Sequence, residues 1–158
     1  MSAWGAQKRS IDDLVAGVES GRLECVVVLS GRKFDDAAAV ALATAMQSPT
    51  CKLKELRCSG HSISAAGAAA LGRAAGASTT LEILDAGDAA LGDDGVQALA
   101  LCFRCPALKQ LHLEAKGIGD AGVVSLAAAL SEGLDKLDLA RNEVGEHGIV
   151  ALGNALQA

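Results

Sequence analysis

The sequence predicts an α/β solenoid, in which short strand–helix units stack side by side as one domain. One observation is self-similarity, because units start near residues 24, 53, 81, 108 and 134 and are therefore 29, 28, 27 and 26 residues apart. The other observation is that apolar residues in each unit alternate at period two and then change to helical spacing. We therefore expect about five short parallel strands, each followed by a helix.

Four units align cleanly, and the unit that starts at Glu24 is a degenerate fifth copy in the same register. The segment 111–113, Leu-His-Leu, predicts a strand with leucines inward and histidine outward. Val123 and Leu126 then lie on one face of a predicted helix. In the degenerate copy, Phe34 stands where the other units have Ile63, Leu91, Ile118 and Val144.

Acidic residues and glycines mark the predicted helix starts. The acidic residues suit the free amides and the positive dipole end of a helix N-terminus. The glycines share one position early in each later helix, where the absence of a Cβ lets the helix approach its own strand closely. The acidic residues are Asp35, Asp36, Asp93, Asp94, Asp120 and Glu146, and the glycines are Gly67, Gly95, Gly122 and Gly148.

The two ends of the repeat array differ. Residues 1–23 are predicted to form an N-terminal capping helix, because Ser10 precedes an apolar stripe that closes at Gly21. Residues 24–158 are predicted to form the repeat domain. Nothing polar follows the last helix, so we expect its apolar flank to stay uncovered.

The pattern Leu-x-x-Leu-x-Leu, followed by an Asn position and then by Ile, Gly and Leu-Ala, spans about residues 24–156. It resembles the ribonuclease-inhibitor type of leucine-rich repeat. The resemblance implies a right-handed solenoid forming a short horseshoe arc, with the parallel sheet on the concave face and the helices on the convex face. The Asn is present only at Asn142, so we expect the buried amide ladder to be largely missing. The other units have Arg32, His61, Ala89 and Lys116 at this position.

Composition and charge favour a protein partner. The net charge of −5 is spread over interspersed acidic and basic residues, which leaves no basic stripe for nucleic acid. No stretch approaches the roughly 20 apolar residues of a membrane span. The five cysteines lack the spacing of a disulfide framework, and no secretory signal is expected. We therefore expect the cytoplasm or another reducing intracellular compartment.

The sequence predicts no catalytic or metal site and no cofactor. The Cys-Phe-Arg-Cys motif at residues 102–105 has the spacing of a redox or zinc half-site, but no second ligand pair accompanies it. The three histidines fall at three different repeat positions. Acidic pairs are explained as helix caps, and the glycine-rich stretches lack the lysine of a phosphate-binding loop. Reduced thiols without a ligand are the favoured interpretation.

Two surfaces are candidate binding sites for a protein partner. Outward strand positions form a column on the concave face, and two charged residues lie nearby. Val26 and Val28 are both expected to point outward and to need an apolar cover, from the segment around Trp4 or from a partner. The concave-face candidates are Val28, Arg57, Asp85, His112, Glu114, Asp138 and Arg141. The candidates at the C-terminal edge are Leu137, Leu139, Val144, Leu152 and Leu156.

We interpret the chain as a non-catalytic protein-interaction module, an accessory or scaffold subunit of a larger assembly. It is expected to take no small-molecule substrate, to bind no nucleic acid and not to insert into a membrane. Membership of an organellar or cytoskeletal complex stays open. The alternative is a regulator of a small GTPase, because GTPase activators of the nuclear transport cycle resemble this repeat type. Their active residues have no match here, and an assay of GTP hydrolysis separates the two functions.

Overall fold

Strands and helices alternate along the chain, which confirms the predicted fold. The computed structural model describes residues 10–29, 31–130 and 133–157. Five strands form one parallel sheet in chain order: β1 (Cys25–Val27), β2 (Glu55–Ser59), β3 (Ile83–Gly87), β4 (Gln110–His112) and β5 (Lys136–Asp138). The helices are α1 (Ile11–Glu19), α2 (Asp36–Met46), α3 (Ala65–Ala77), α4 (Gly92–Leu99), α5 (Asp120–Ala129) and α6 (Glu146–Ala155).

Each of repeats 1 to 5 consists of one strand and the helix after it. Leucines at equivalent positions stack between the sheet and the helices. Leu56, Leu84 and Leu111 are direct neighbours in adjacent strands, and all three are fully buried. Burying an aliphatic side chain contributes roughly 1.5–3 kcal/mol. This stack is therefore one apolar source of stability within the core.

The first strand is shifted by one residue from the predicted register. Val26 pairs with the inward-facing Leu56, so Val26 and Val28 are buried, with 1% and 3% of their surface exposed. Val27 takes the outward position and is 49% exposed. The prediction that Val26 and Val28 face outward is wrong, because a shift of one residue turns every side chain of a strand to the other face. Trp4, one expected cover, lies outside the described residues.

Helix α1 begins at a capping box. The Ser10 hydroxyl accepts a hydrogen bond from the Asp13 amide at 3.1 Å, and the Ser10 amide donates to the Asp13 carboxylate at 3.0 Å. The helix packs against α2, and its Val18 is fully buried. Among the residues that the structure describes, none of the helices has the length and apolar character needed to span a membrane.

Three of the six acidic residues at helix starts serve the following repeat and not their own helix. Asp35 instead accepts from the Ala38 amide within its own helix at 3.1 Å. The three accept from the N-cap amide of the next helix, which satisfies a donor that no intrahelical bond can reach. These bonds join Asp36 to Ser64 at 2.8 Å, Asp93 to Gly119 at 2.7 Å and Asp120 to Gly145 at 2.6 Å.

The glycines early in the helices make room for these aspartates. A Cβ on Gly122 would lie 2.5 Å from the Asp93 carboxylate, and a Cβ on Gly148 would lie 2.8 Å from that of Asp120. Both distances are shorter than van der Waals contact. The predicted reason for these glycines was close approach to their own strand. The structure corrects it, because the nearest atom belongs to the preceding repeat at Gly67, Gly122 and Gly148 and to Leu91 at Gly95.

Repeat 3 departs from this pattern because Ala65 stands at the aspartate position of repeat 2. The Gly92 amide has no carboxylate to meet and donates instead to the Lys116 carbonyl of repeat 4, at 2.9 Å. Gly92 adopts a φ of +59°, and Leu91 fills the space in front of Gly95. Helix α4 is 8 residues long and continues as the 3₁₀-helix Ala100–Arg104.

Polar side chains that follow the strands link the repeats, so the expected loss of the buried ladder is wrong for repeats 2 and 4, while Asn142 makes the link in repeat 5. His61 and Lys116 take the Asn position, and both are buried. Ala89 leaves the position empty in repeat 3. Each linking side chain bonds to a strand-end carbonyl of the preceding repeat. The bonds join His61 to Val28 at 3.1 Å, Lys116 to Gly87 at 2.9 Å and Asn142 to Leu113 at 2.6 Å.

Replacing Asp120 by alanine tests the aspartate caps. Its Oδ1 atom accepts from the amides of Gly145 and Gly148, at 2.6 and 3.0 Å. We expect Asp120→Ala to lower the free energy of unfolding by about 1–3 kcal/mol, because two partly buried donors lose their acceptor. Urea denaturation measures this change.

Glu146→Ala is the matched control. Glu146 occupies the same position in repeat 5, and its carboxylate has no hydrogen bond or ion pair within the described residues. Both substitutions remove an acidic residue from the first turn of a helix, so the control corrects for the helix dipole. Equal losses for the two variants would contradict the inter-repeat role of Asp120.

Candidate functional site

The concave face carries a continuous row of side chains across all five strands. Strand pairing places the second outward residue of each strand beside its equivalent in the next strand. Neighbouring strands lie roughly 4.8 Å apart, so the side chains of the row are in contact range of one another. The structure therefore brings together four of the predicted residues and replaces Val28 by its neighbour. The row consists of Val27, Arg57, Asp85, His112 and Asp138.

Arg57 and His112 of the row each have a polar partner on their own strand. Arg57 bonds to Glu55, and this bond holds the pKa of the Glu55 carboxyl below its usual value. The His112 ring lies 3.2 Å from the Gln110 side-chain oxygen. Lateral partners of this kind restrict the rotamers of the row, so the face presents a defined pattern of polar groups.

Glu114 and Arg141 form an ion pair beside the row. Arg141 Nε lies 3.3 Å from a carboxylate oxygen of Glu114, and both side chains are largely solvent-exposed. An exposed pair contributes about 0–1 kcal/mol to stability. The two predicted residues are thus brought together, and they extend the polar surface of the concave face more than they stabilise the fold.

Lys116 contributes to the concave face although sequence reasoning placed it only in the loop. Its Nζ lies 3.3 Å from Asp85 Oδ1 and donates to the Ser59 hydroxyl at 2.5 Å and to the Gly87 carbonyl at 2.9 Å. Asp85 Oδ1 is buried and accepts no hydrogen bond, so the lysine is its sole counter-charge in the described part of the chain. The sequence did contain a signal for this role. Lys116 stands at the Asn position of its repeat, which a buried side chain usually occupies.

The outward side of β1 is apolar, which distinguishes it from the other strands. Cys25 is exposed, Val27 is 49% exposed, and Leu29 just beyond the strand is 67% exposed. Sequence reasoning missed this strip because it placed the strand one residue out of register. The concave face therefore changes from apolar at β1 to mainly polar from β2 onward, where Ile83 is an apolar outward residue of β3.

The C-terminal edge is more exposed than the interior of the array. The predicted Leu137, Leu139, Val144 and Leu152 are partly buried against the core, and Leu156 is 75% exposed. Sequence reasoning missed Ile149 as a member of this edge. Ile149 is 62% exposed, whereas Val123 at the same position of repeat 4 is fully buried.

The cysteines and histidines do not assemble into a ligand set. In the described ranges, no group of three or more His, Cys, Asp or Glu residues is placed to hold a metal ion. Cys102 and Cys105 are both buried, and burial raises the pKa of the Cys102 thiol to about 12. The Cys105 thiol donates to the Leu81 carbonyl at 3.4 Å. These thiols therefore act as core residues.

Comparison with known proteins agrees with this architecture. A protein-family model described as "Leucine Rich repeat" matches residues 77–100. The chain is a leucine-rich repeat protein. It is 33% identical over 133 residues to the Homo sapiens NACHT, LRR and PYD domains-containing protein 14, covering 82% of this chain and 12% of that protein. It is 31% identical over 132 residues to the Sus scrofa ribonuclease inhibitor, covering 81% of this chain and 29% of that protein. The chain thus spans less than a third of the length of either relative.

We expect His112 to make the stability of the leucine-rich repeat protein sensitive to acid. Burial lowers the pKa of His112, with smaller contributions from Lys136 and Arg57, while Asp85 and Asp138 act in the opposite direction. The unfolded chain therefore takes up this proton first. The contribution of neutral His112 to the free energy of unfolding is present above the unfolded pKa of about 6.5. It is lost as the pH falls below that value.

We expect NMR titration to place the pKa of His112 below the ordinary value of a histidine. Unfolding in urea at pH 7.5 and 5.5 should then show a smaller loss on acidification for His112→Gln than for the unsubstituted chain. His147→Gln is the control, since the side chain of His147 is 92% exposed. Equal acid sensitivity of both variants would refute the contribution of His112.

Alkylation of the native repeat protein should distinguish the exposed cysteines from the buried ones by their reactivity. Cys25 is exposed and Cys51 half-buried, whereas the other three thiols are buried. Burial raises the pKa of Cys58 to about 12, so almost no thiolate forms there at neutral pH. Mass spectrometry after iodoacetamide treatment should find adducts at Cys25 and Cys51 only, and at all five in urea. Native labelling of Cys102 would contradict its place in the core.

Proposed function

We propose that the chain is a non-catalytic protein-binding module that uses its concave face as the main binding surface. The observation that carries this proposal is the row Arg57, Asp85, His112 and Asp138, which four adjacent strands hold in register. A rigid sheet positions such side chains more accurately than loops do. The row and its flanking pairs offer donors, acceptors and both signs of charge to a protein surface.

The relatives support a protein as the partner. One of them is named for inhibiting a ribonuclease, so a related repeat array acts on a protein target. The row in this chain contains no Trp or Tyr, the residues that most often anchor an interface. Specificity would therefore come from the charge pattern, with Val27 and Leu29 supplying apolar area at one end of the face.

The C-terminal edge is proposed as a second contact surface. Leu137, Leu139, Val144 and Leu152 lie at this edge, and Leu156 and Ile149 are largely exposed. Contiguous exposed apolar area usually marks an interaction site. A module with two such surfaces suits an accessory or scaffold subunit of a larger assembly. The free thiols fit a reducing compartment such as the cytoplasm, and neither nucleic acid nor a small-molecule substrate is proposed as a ligand.

Affinity capture of the tagged chain from its own cells, with three sets of charge or polarity changes, tests this proposal. The concave-face variant carries Arg57→Glu and Asp138→Lys. The edge variant carries Ile149→Asp and Leu156→Asp. The control carries Arg73→Glu and Asp94→Lys, which reverse the same two charges on exposed helix positions. Native mass gives the stoichiometry of each captured complex.

We expect the concave-face variant to weaken the binding of a captured partner at least about tenfold, or about 1.4 kcal/mol, while the control keeps full affinity. Thermal unfolding of each variant confirms that it is folded. If the edge variant alone loses the partner, the edge and not the concave face is the main surface. Recovery of the unsubstituted chain as a lone monomer, or equal binding by all variants, would contradict the proposal.

A further inference from the structure

The joint between repeats 2 and 3 lacks both side-chain links that the other joints have. At the first link, Ala65 stands where the other repeats before a joint have an aspartate that caps the next helix. At the second link, Ala89 stands where other repeats have His61, Lys116 or Asn142. Methyl groups cannot accept or donate hydrogen bonds. The loops that follow β2 and β3 are therefore not tied to each other by these residues.

Lys116 of repeat 4 reaches across this joint. Its side chain reaches repeat 2, where its Nζ donates to the Ser59 hydroxyl at the end of β2. The same amine donates to the Gly87 carbonyl at the end of β3. The Gly87 carbonyl also accepts from the Gly60 amide of repeat 2, at 2.9 Å. One amine thus connects three consecutive repeats.

Burial and charge make this connection specific. Lys116 is 2% exposed, and a buried ammonium is tolerated only where it is paired and hydrogen-bonded. The Asp85 carboxylate supplies the counter-charge at 3.3 Å. The Lys116 carbonyl also accepts from the Gly92 amide at 2.9 Å, so side chain and main chain both support repeat 3.

We propose that Lys116 is a positioning residue for the concave face, which holds the ends of β2, β3 and β4 in register in place of the two missing links. Through Ser59 it fixes the strand that carries Arg57, and through its ion pair it fixes Asp85. The significance for binding rests on the proposed function. The coupling itself requires no partner, so the two can fail independently.

Hydrogen exchange of the full chain tests the coupling, because it reports local opening at single amides. The variant is Lys116→Met, which keeps the length of the side chain and removes its charge and donors. The informative amide is Gly60, whose acceptor is shared with Lys116. The reference amides are Lys54 and Asp135, which bond across the joints between repeats 1 and 2 and between repeats 4 and 5.

We expect Lys116→Met to speed exchange at Gly60 at least about tenfold relative to both reference amides. Lys109→Met is the control, since Lys109 is exposed and its amine donates only to Gly133 within the described residues. If Gly60, Lys54 and Asp135 change by the same factor, the lysine acts on global stability alone and the proposal is overturned. If Lys116→Met does not fold, Ser59→Ala is used instead, because it removes one partner of the amine. The exchange rate at Gly60 is then compared with the rates at Lys54 and Asp135 in the same way.

Discussion

Each repeat depends on its neighbour to satisfy polar backbone groups that it cannot satisfy alone. At every joint, a carbonyl before one strand accepts an amide from the next repeat, at 2.7 or 2.8 Å: Glu24 from Lys54, Lys54 from Glu82, Glu82 from Lys109 and Lys109 from Asp135. The aspartate caps and the strand-end side chains add further bonds between a group of one repeat and an acceptor in the repeat before it. Because buried donors and acceptors without partners are costly, the stacking order and the register follow from these bonds as much as from the leucine core.

The periodic part of the fold could be predicted from the sequence, because period two and helical spacing record which side chains are inward. Leu56, Leu84 and Leu111 are placed correctly on this basis. The first strand could not be predicted, because the run Cys-Val-Val-Val at 25–28 is apolar in either register and contains no alternation to decide between them. The function of the aspartates could not be predicted either. Their partners lie in the next repeat, which only the three-dimensional stacking reveals.

The candidate binding face could likewise be predicted only where it follows from the periodic pattern of the strands. Arg57, Asp85, His112 and Asp138 follow from strand alternation alone. Lys116 does not, because its role depends on the missing link at Ala89 and on an acceptor two repeats away. A buried lysine in an apparently broken ladder position is ambiguous in sequence. In the structure it forms the centre of a polar cluster beneath the face.

The space in front of Gly122 belongs to the carboxylate of Asp93, and where the aspartate is absent, at Ala65, a leucine side chain fills the equivalent space before Gly95. The side chain that fills the space in front of a helix glycine thus differs with the residue in the repeat before it. The interchangeable module of this array is therefore not the strand–helix unit. The spans Asp93–Gly122 and Asp120–Gly148 overlap in sequence, so a graft cut anywhere between residues 93 and 148 would separate an aspartate from its glycine.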